Sequence, residues 1–486
     1  MNLRMLAAST AAIAFAATAA NAATFTANNS REFAQAITQV NDGDTIRLAP
    51  GNYGRVYIEG GRYNKVAIGN NWIRKKTPSL SSNVFIESMD PNNRATFQSI
   101  DVRGSDYWSF DSVDVRPGPQ VEWYHAVNLG GNNLKFTNSS VSYGDATNWN
   151  ASDWRNKAGR GVYVWGDDAV VQNNLMKNVS VGVSLDHSAK NGRVINNTVD
   201  GISRDGLRGL GDFGLFENNL VKNFKAVSSN HDDCFQSFSK KNGRIGAGEV
   251  VGVTLRGNVC IASEDPNDPL YSPAQGYLMN NGVARDWVIE DNVYSSSAYH
   301  GIRVVRAENV TVRNNTVIDD QPWINGKDFV WILIDSIHSS SAAPSLVENN
   351  LANMFKSGPN TAEINNHTIS IDEYDTWFVD WRNGDFTLKS TAPIFGVGAT
   401  LAQVGATSTG SSTPSTPTSP SDPSDPTDPI GGTPLGFPTL LSVQVASTSN
   451  VELPIPVPAS GLMAISGVLA LAGLRLRNKR KQNAAA

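Results

Sequence analysis

Short stretches in which apolar and polar residues alternate run through most of the chain. They are punctuated by an Asn-Asn pair or a close variant: "KFTNSSV", "VVQNNLM", "VINNTV", "LFENNLV", "LRGNVC", "VIEDNVY", "VRNNTV" and "LVENNLA". A period of two is that of a strand with one face in a core. The second residue of the pair falls at positions 139, 174, 197, 219, 258, 292, 315 and 350, a repeat of 22 to 39 residues. Strands recurring at that interval predict coils stacked along an axis, each completing the core of its neighbour. Asn suits the corner of such a coil because it tolerates the left-handed conformation and can ladder with its counterpart one coil away. The Asn-Gly turns that antiparallel hairpins favour are scarce, which disfavours propellers and sandwiches.

Composition agrees with an all-β chain, since 42 Gly and only 17% charged residues among 486 suit turns and strands better than long helices. The pattern stops near residue 405. From 406 to 450 the chain is rich in Ser, Thr and Pro, "ATSTGSSTPSTPTSPSDPSDPTDP", and reads as a disordered linker. Residues 1–22 carry one Arg, an Ala-rich apolar run and Ala20-Asn21-Ala22, which reads as a signal peptide for signal peptidase and predicts export to the cell surface or beyond. Residues 451–486 join a Pro-rich motif, an apolar run from Gly461 to Leu474 and a basic cluster ending at Lys481. The run is short for a membrane span, and its basic end belongs on the cytoplasmic side.

That tail, with Val457-Pro-Ala-Ser-Gly461, resembles the VPLPA-type relatives of the PEP-CTERM sorting signals, which implies processing by an exosortase-like enzyme. Retention as a membrane anchor is the alternative. Loss of Arg4 and of the five basic tail residues moves the formal charge from −5 to −11, so nucleic acid is not an expected partner. Cys234 and Cys260 fall at different places in the repeat and are expected to be buried thiols, not a disulfide.

The opening "REFAQAITQVNDGDTIRLAPGNYG", the Asn repeat and the closing "GDFTLKSTAPIFGVGAT" together resemble the right-handed parallel β-helices of the pectate lyase superfamily. The resemblance implies a solenoid over residues 23–405 with a short N-terminal capping helix. It leaves the chemistry open, since this fold carries lyases, hydrolases and binding proteins.

The strands "RGVYV", "VGVSL", "DGLRG", "DCFQS", "QGYLM" and "HGIRV" overlay with Val162, Val183, Leu207, Phe235, Tyr277 and Ile302 pointing inward. Tyr163, Ser184, Arg208, Gln236, Leu278 and Arg303 then point outward on one face. Asp205, Asp233 and His300 lie at the start of the same strands, with Asp205 and Asp233 about 4.8 Å apart and His300 about two rungs further on. Asp205, Asp232, Asp233, His300 and Arg303 are the candidate catalytic residues, and Arg208, His231, Gln236, Tyr163 and Trp165 the candidate substrate-binding ones. Close carboxylates either split their protonation or share a cation, for which calcium is the candidate. Guanidiniums suit the carboxylates of uronate sugars.

The leading expectation is therefore a secreted enzyme that cleaves an acidic polysaccharide by β-elimination. Asp205-Gly206, Asp232-Asp233-Cys234 and Arg303 also resemble polygalacturonase-like hydrolases, but no Gly-His-Gly follows and no Lys stands two residues after Arg303. A non-catalytic surface or matrix protein that binds exopolysaccharide is the third reading. Trp108, Trp123, Tyr124, Trp149, Trp154 and Trp165 are candidate sugar platforms. Arg74-Lys75-Lys76 reads as a solvated loop, and His125, His187 and His338 as structural.

Overall fold

The computed structural model describes residues 22–399 apart from 62–63, 74–76, 121, 266, 321–329, 340 and 394–395, all within the first of two compact units, Met1–Thr413. The leader before Ala22, the basic run Arg74–Lys76, the linker and the sorting-type tail lie outside the described residues.

Each coil has three faces. On the first, short strands such as Val170–Gln172, Arg193–Ile195 and Leu215–Glu217 pair in parallel and in register. The second carries strands such as Leu220–Phe224 and Val259–Ile261, again parallel. The third face holds the longest strands, whose residues bear on function. They are β1 (His125–Gly130), β2 (Arg160–Val164), β3 (Leu175–Leu185), β4 (Thr198–Gly209), β5 (Asp233–Phe238), β6 (Gln275–Asn281), β7 (His300–Glu308), β8 (Trp331–Ser336) and β9 (Met354–Ser357). The chain is thus a parallel β-helix. β3 and β4 run without a break from the second face into the third.

The corner between the first and second faces is the Asn ladder. Asn138, Asn173, Asn196, Asn218, Asp291, Asn314 and Asn349 all take positive φ, and Gly257 fills the same place with φ of 62°. The residue after each is buried and turned inward. Asn174, Asn197, Asn219, Asn258, Asn292, Asn315 and Asn350 each donate from Nδ2 to Oδ1 of the Asn one coil on, at 2.9 to 3.0 Å. The same oxygens also accept the backbone N–H of the donating Asn, and the amides also donate to carbonyls of the coil before. Every donor and acceptor has a partner in a dry corner, as a buried amide requires.

A second periodic feature lies where the second face meets the third. Gly161, Gly182, Gly206, Gly276 and Gly301 precede the inward residues of β2, β3, β4, β6 and β7. A Cβ on them would strike Met176, Val199, Val221, Tyr294 and Val317, the inward residues of the second face one coil on. β5 has Cys234 in this place, and its second-face neighbour is Cys260. The two form a disulfide with Cα atoms 6.1 Å apart. The expectation of free thiols is therefore corrected. Different positions in the repeat put the two residues on different faces, and at this corner those faces touch.

Both flanks of the core are covered. The helix α1 (Ser30–Ile37) starts at Asn29, whose side chain accepts from the backbone of Arg31 and Glu32, and buries Phe33, Ala34, Ala36 and Ile37. This is the expected N-terminal cap. After the last coil, Tyr374, Trp377, Phe378, Trp381 and Phe386 pack on Val259, Val293, Ile318 and Leu351, so the closing segment runs along the outside of the second face. No helix among the described residues is long and apolar enough to cross a membrane.

Candidate active site on the third face

The strand pairing places the third-face residues on the stripe expected from the alternation. Val162, Val183, Leu207, Phe235, Tyr277 and Ile302 are register partners in succession, and so are Tyr163, Ser184, Arg208, Gln236, Leu278 and Arg303. Asp205 pairs with Asp233, and Asp233 with Gln275. Two carboxylates thus stand on neighbouring rungs.

Their surroundings differ. Asp205, Asp233 and Asp232 are 1%, 0% and 5% exposed. Arg208 lies over Asp205, with Nε and the terminal nitrogen both 2.5 Å from Oδ2. Asp233 accepts from His231 Nδ1 at 2.9 Å and from Gln236 Nε2 at 2.7 Å. Asp232 is held separately, by Ser272 Oγ, which donates to it at 2.6 Å, and by Asn230 Nδ2 at 3.1 Å. Desolvation pushes Asp232 up to about 8, reinforced by Asp205 and Asp233, so it is protonated at neutral pH. Burial also raises Asp233, chiefly by desolvation and then by Asp205.

Cationic groups stand beside these carboxyls. The His231 side chain is 53% exposed, and its bond to Asp233 raises its pKa above 6.5. β4 carries one residue more than β3 between the pairs Val179–Ile202 and Val181–Asp205. Such a bulge re-aims side chains, and here it directs Arg204 to an ion pair with Glu122. The guanidiniums of Arg160 and Arg204 lie 4.5 and 5.3 Å from the ring centre of Trp123, which is 65% exposed. Burial lowers Arg160 to about 10, helped by Arg208, and lowers Arg204 as well, yet both stay charged at neutral pH. Arg160 Nε and Arg204 Nε are buried and lack a hydrogen-bond partner. Three guanidiniums and an imidazole therefore stand together on this part of the third face, Arg204 paired with Glu122, Arg208 with Asp205 and His231 with Asp233.

Other expected residues fall around this cluster. Tyr163 donates to Asp186 Oδ2 at 2.7 Å and stacks on His125 at 4.4 Å, and Trp165 Nε1 donates to Asn128 at 2.9 Å. His125 was expected to be structural, but it is the register partner of Arg160 and lies beside the stripe. Burial, then Arg160, lowers it to about 4, so it is neutral. His300 does extend the stripe, but it is buried between Tyr299 and Trp331, with Nδ1 3.1 Å from Gln275 Oε1. Burial, then Arg303, lowers it to about 3, leaving a feeble base well away from the carboxylates. Arg303 is three rungs from Arg208 by register. Of the aromatic candidates, Trp108 and Trp154 are core, and Trp123 alone is a broadly exposed ring at the groove.

Calcium does not fit this donor set. Asp205 is engaged by a guanidinium, Asp233 by an imidazole and an amide, and Asp232 by a hydroxyl and an amide. Among the described residues no group of three or more His, Cys, Asp or Glu side chains could hold a metal ion.

Among known families, a model of the right-handed beta helix region matches residues 160–352. No curated protein matches the chain. Solved structures with some likeness include an alginate lyase of polysaccharide lyase family 6, AlyGC, at 12% identity and a TM-score of 0.41 over 78% of this chain; the match spans only 59% of that enzyme. Another alginate lyase of that family, in complex with a trisaccharide, is 13% identical with a TM-score of 0.42, over 79% of this chain and 95% of its own. Pectate lyase Pel9A is 15% identical with a TM-score of 0.37, over 79% of this chain and 96% of its own. Likeness at this level leaves the chemistry to the groove itself.

Proposed function

We propose that the third-face groove binds an acidic, uronate-containing polysaccharide and cleaves it by β-elimination. One observation carries this reading: Asp205, Asp232 and Asp233 are buried, while Arg160, which has no carboxylate ion pair among the described residues, stands with Arg204, Arg208 and His231 on the outward side. On a chain of net negative charge, a cationic groove selects for a polyanion.

In this reading the guanidiniums hold the uronate carboxylate and stabilise the charge that develops as the proton on C5 is removed. His231 is the base. Its Nδ1–H donates to Asp233, which fixes the tautomer and leaves the Nε2 lone pair for the proton. The electron pair of the C5–H bond becomes the C4=C5 double bond as the bond from C4 to the bridging oxygen breaks. The imidazolium then stands ready to return the proton to that oxygen. Asp205 positions Arg208, and Gln236 helps hold Asp233.

A second reading has one observation behind it. Asp232 is protonated at neutral pH beside charged neighbours, and such a split suits the acid and base of a glycoside hydrolase. It requires Arg208, Gln236 and His231 to move before sugar can reach any of the three carboxyls. Polygalacturonate and alginate digests separate the readings. Elimination gives an unsaturated end absorbing in the ultraviolet, hydrolysis gives reducing ends without that absorbance, and a surface protein that only binds exopolysaccharide gives neither.

A further inference from the structure

Three to five rungs beyond Arg208 the same groove contains a second group of cationic and aromatic side chains. Arg303 of β7 pairs with Leu333 of β8, which pairs with Lys356 of β9. Arg303 makes no hydrogen bond or ion pair with a described residue, although Asp335 acts on it electrostatically, and its Nε is buried with no partner among the described residues. The Nε1 of Trp331 is likewise buried and lacks an acceptor. Lys356 is exposed, has no carboxylate partner among the described residues, and lies with Nζ 3.5 Å from the centre of the Trp331 ring. Tyr299 is 37% exposed and packs on that ring at 5.0 Å. Leaving two donors unanswered in one patch is costly unless something supplies acceptors.

Between the two clusters the outward floor is neutral. Gln236 and Leu278 occupy the two rungs that separate Arg208 from Arg303. The separation along the axis is about 14 Å at the usual rung spacing. A single sugar bound at Arg208 would not reach that far, whereas a chain lying along the solenoid would cross both.

We propose that Arg303, Trp331, Lys356 and Tyr299 form a distal subsite for a carboxylate-bearing sugar of the same polymer chain. The inference rests on the acidic-polysaccharide reading for its ligand, but not on any catalytic step. Arg303 and Lys356 hold the carboxylate, and the exposed edges of Tyr299 and Trp331 take the sugar's apolar surface. Arg303 thereby becomes a residue that sets chain length and not one that acts at the scissile bond.

The test measures binding apart from turnover. Wild type, the double variant Arg303→Ala with Lys356→Gln, and Trp331→Phe are run on native gels containing alginate, polygalacturonate, carboxyl-reduced polygalacturonate or dextran sulfate. The expected result is wild-type retardation by one of the two uronans and a fall in affinity of about tenfold in the double variant, the worth of one or two charged contacts. Trp331→Phe, which keeps the ring and removes the buried N–H, should lose less. The carboxyl-reduced polymer should retard none of them. Where cleavage is seen, the double variant should raise KM for long chains. Undiminished uronan binding by the double variant overturns the subsite, as does equal loss on dextran sulfate, which indicates a general anion patch. Uronan binding that needs Arg303 and Lys356 but yields no cleavage sinks the elimination reading and leaves the subsite standing.

Discussion

Two stacks of buried polar side chains run along this solenoid, and they follow opposite rules. At the corner between the first and second faces, one Asn per coil meets an identical neighbour, and each N–H and C=O is answered. On the third face the successive residues are Asp205, Asp233, Gln275 and His300, of which Asp205 is held by Arg208, Asp233 by His231 and Gln236, and Gln275 and His300 by each other. Around them Arg160, Arg204, Arg303 and Trp331 keep donors with no acceptor. A repeated, closed network specifies a structure. An unrepeated one with open valences is where a ligand has been left work to do.

The sharpest break in this comparison comes from removing one member of each stack. His231→Ala should lower kcat by about 10²- to 10⁴-fold, the usual worth of a general base. Stability should fall by no more than about 1–3 kcal/mol, since the change takes one of two donors from the buried Asp233 carboxyl and Gln236 keeps the other. Steady-state assays on uronans check the first part, and calorimetry the second. Activity in the wild type should rise with pH through a limb above 6.5, since Asp233 raises His231 and only the neutral ring accepts a proton. A variant that retains full activity and the same limb would remove His231 from the mechanism.

Asn219→Ala should do the reverse. It strips acceptors from the backbone N–H and the amide of Asn197, and a donor from the Val194 carbonyl, all in a dry corner. With about 1–3 kcal/mol for each group left unsatisfied, less some relaxation, the loss of stability should be about 3–5 kcal/mol. Activity per folded molecule should not change. A ladder that tolerates this substitution with no shift in the denaturation midpoint would show that coil stacking carries the corner without it.

The same contrast explains what could be read from the amino-acid sequence. The ladder and the third-face register repeat, so alternation and the Gly-apolar pairs were enough to bring Asp205 beside Asp233. Arg160 was legible too, since in "RGVYV" it holds the place that His300 holds in "HGIRV". Arg204 was hidden by the bulge in β4, which shifts it out of the alternation. The directions of His231 and Asp232 depend on the loop that precedes β5 and on Ser272, and neither repeats. The disulfide had a signal that went unused. Five of six strands place Gly against an apolar residue of the next coil, and the sixth places Cys234 against Cys260.

The smallest expected effect separates burial from chemistry at Asp232. In the folded chain this carboxyl keeps its proton up to about pH 8, and in the unfolded chain it loses it near 3.8. Between those values the unfolded state gains a charge that the folded state resists, so this group destabilises the fold progressively as pH rises from about 4 to 8, and no further above that. Asn has the shape of the protonated acid. At position 232 its Nδ2 can donate to Ser272 Oγ while its Oδ1 accepts from Asn230. Asp232→Asn should therefore leave stability near pH 4 almost unchanged and raise it at pH 8 by about 1–3 kcal/mol, as denaturation midpoints at the two pH values will measure. Elimination through His231 should survive the change, because Asp232 is bonded to Ser272 and Asn230 and not to His231 or the guanidiniums. Loss of turnover in a stabilised Asp232→Asn protein would instead make its proton the reactive one and turn the balance toward glycoside hydrolysis.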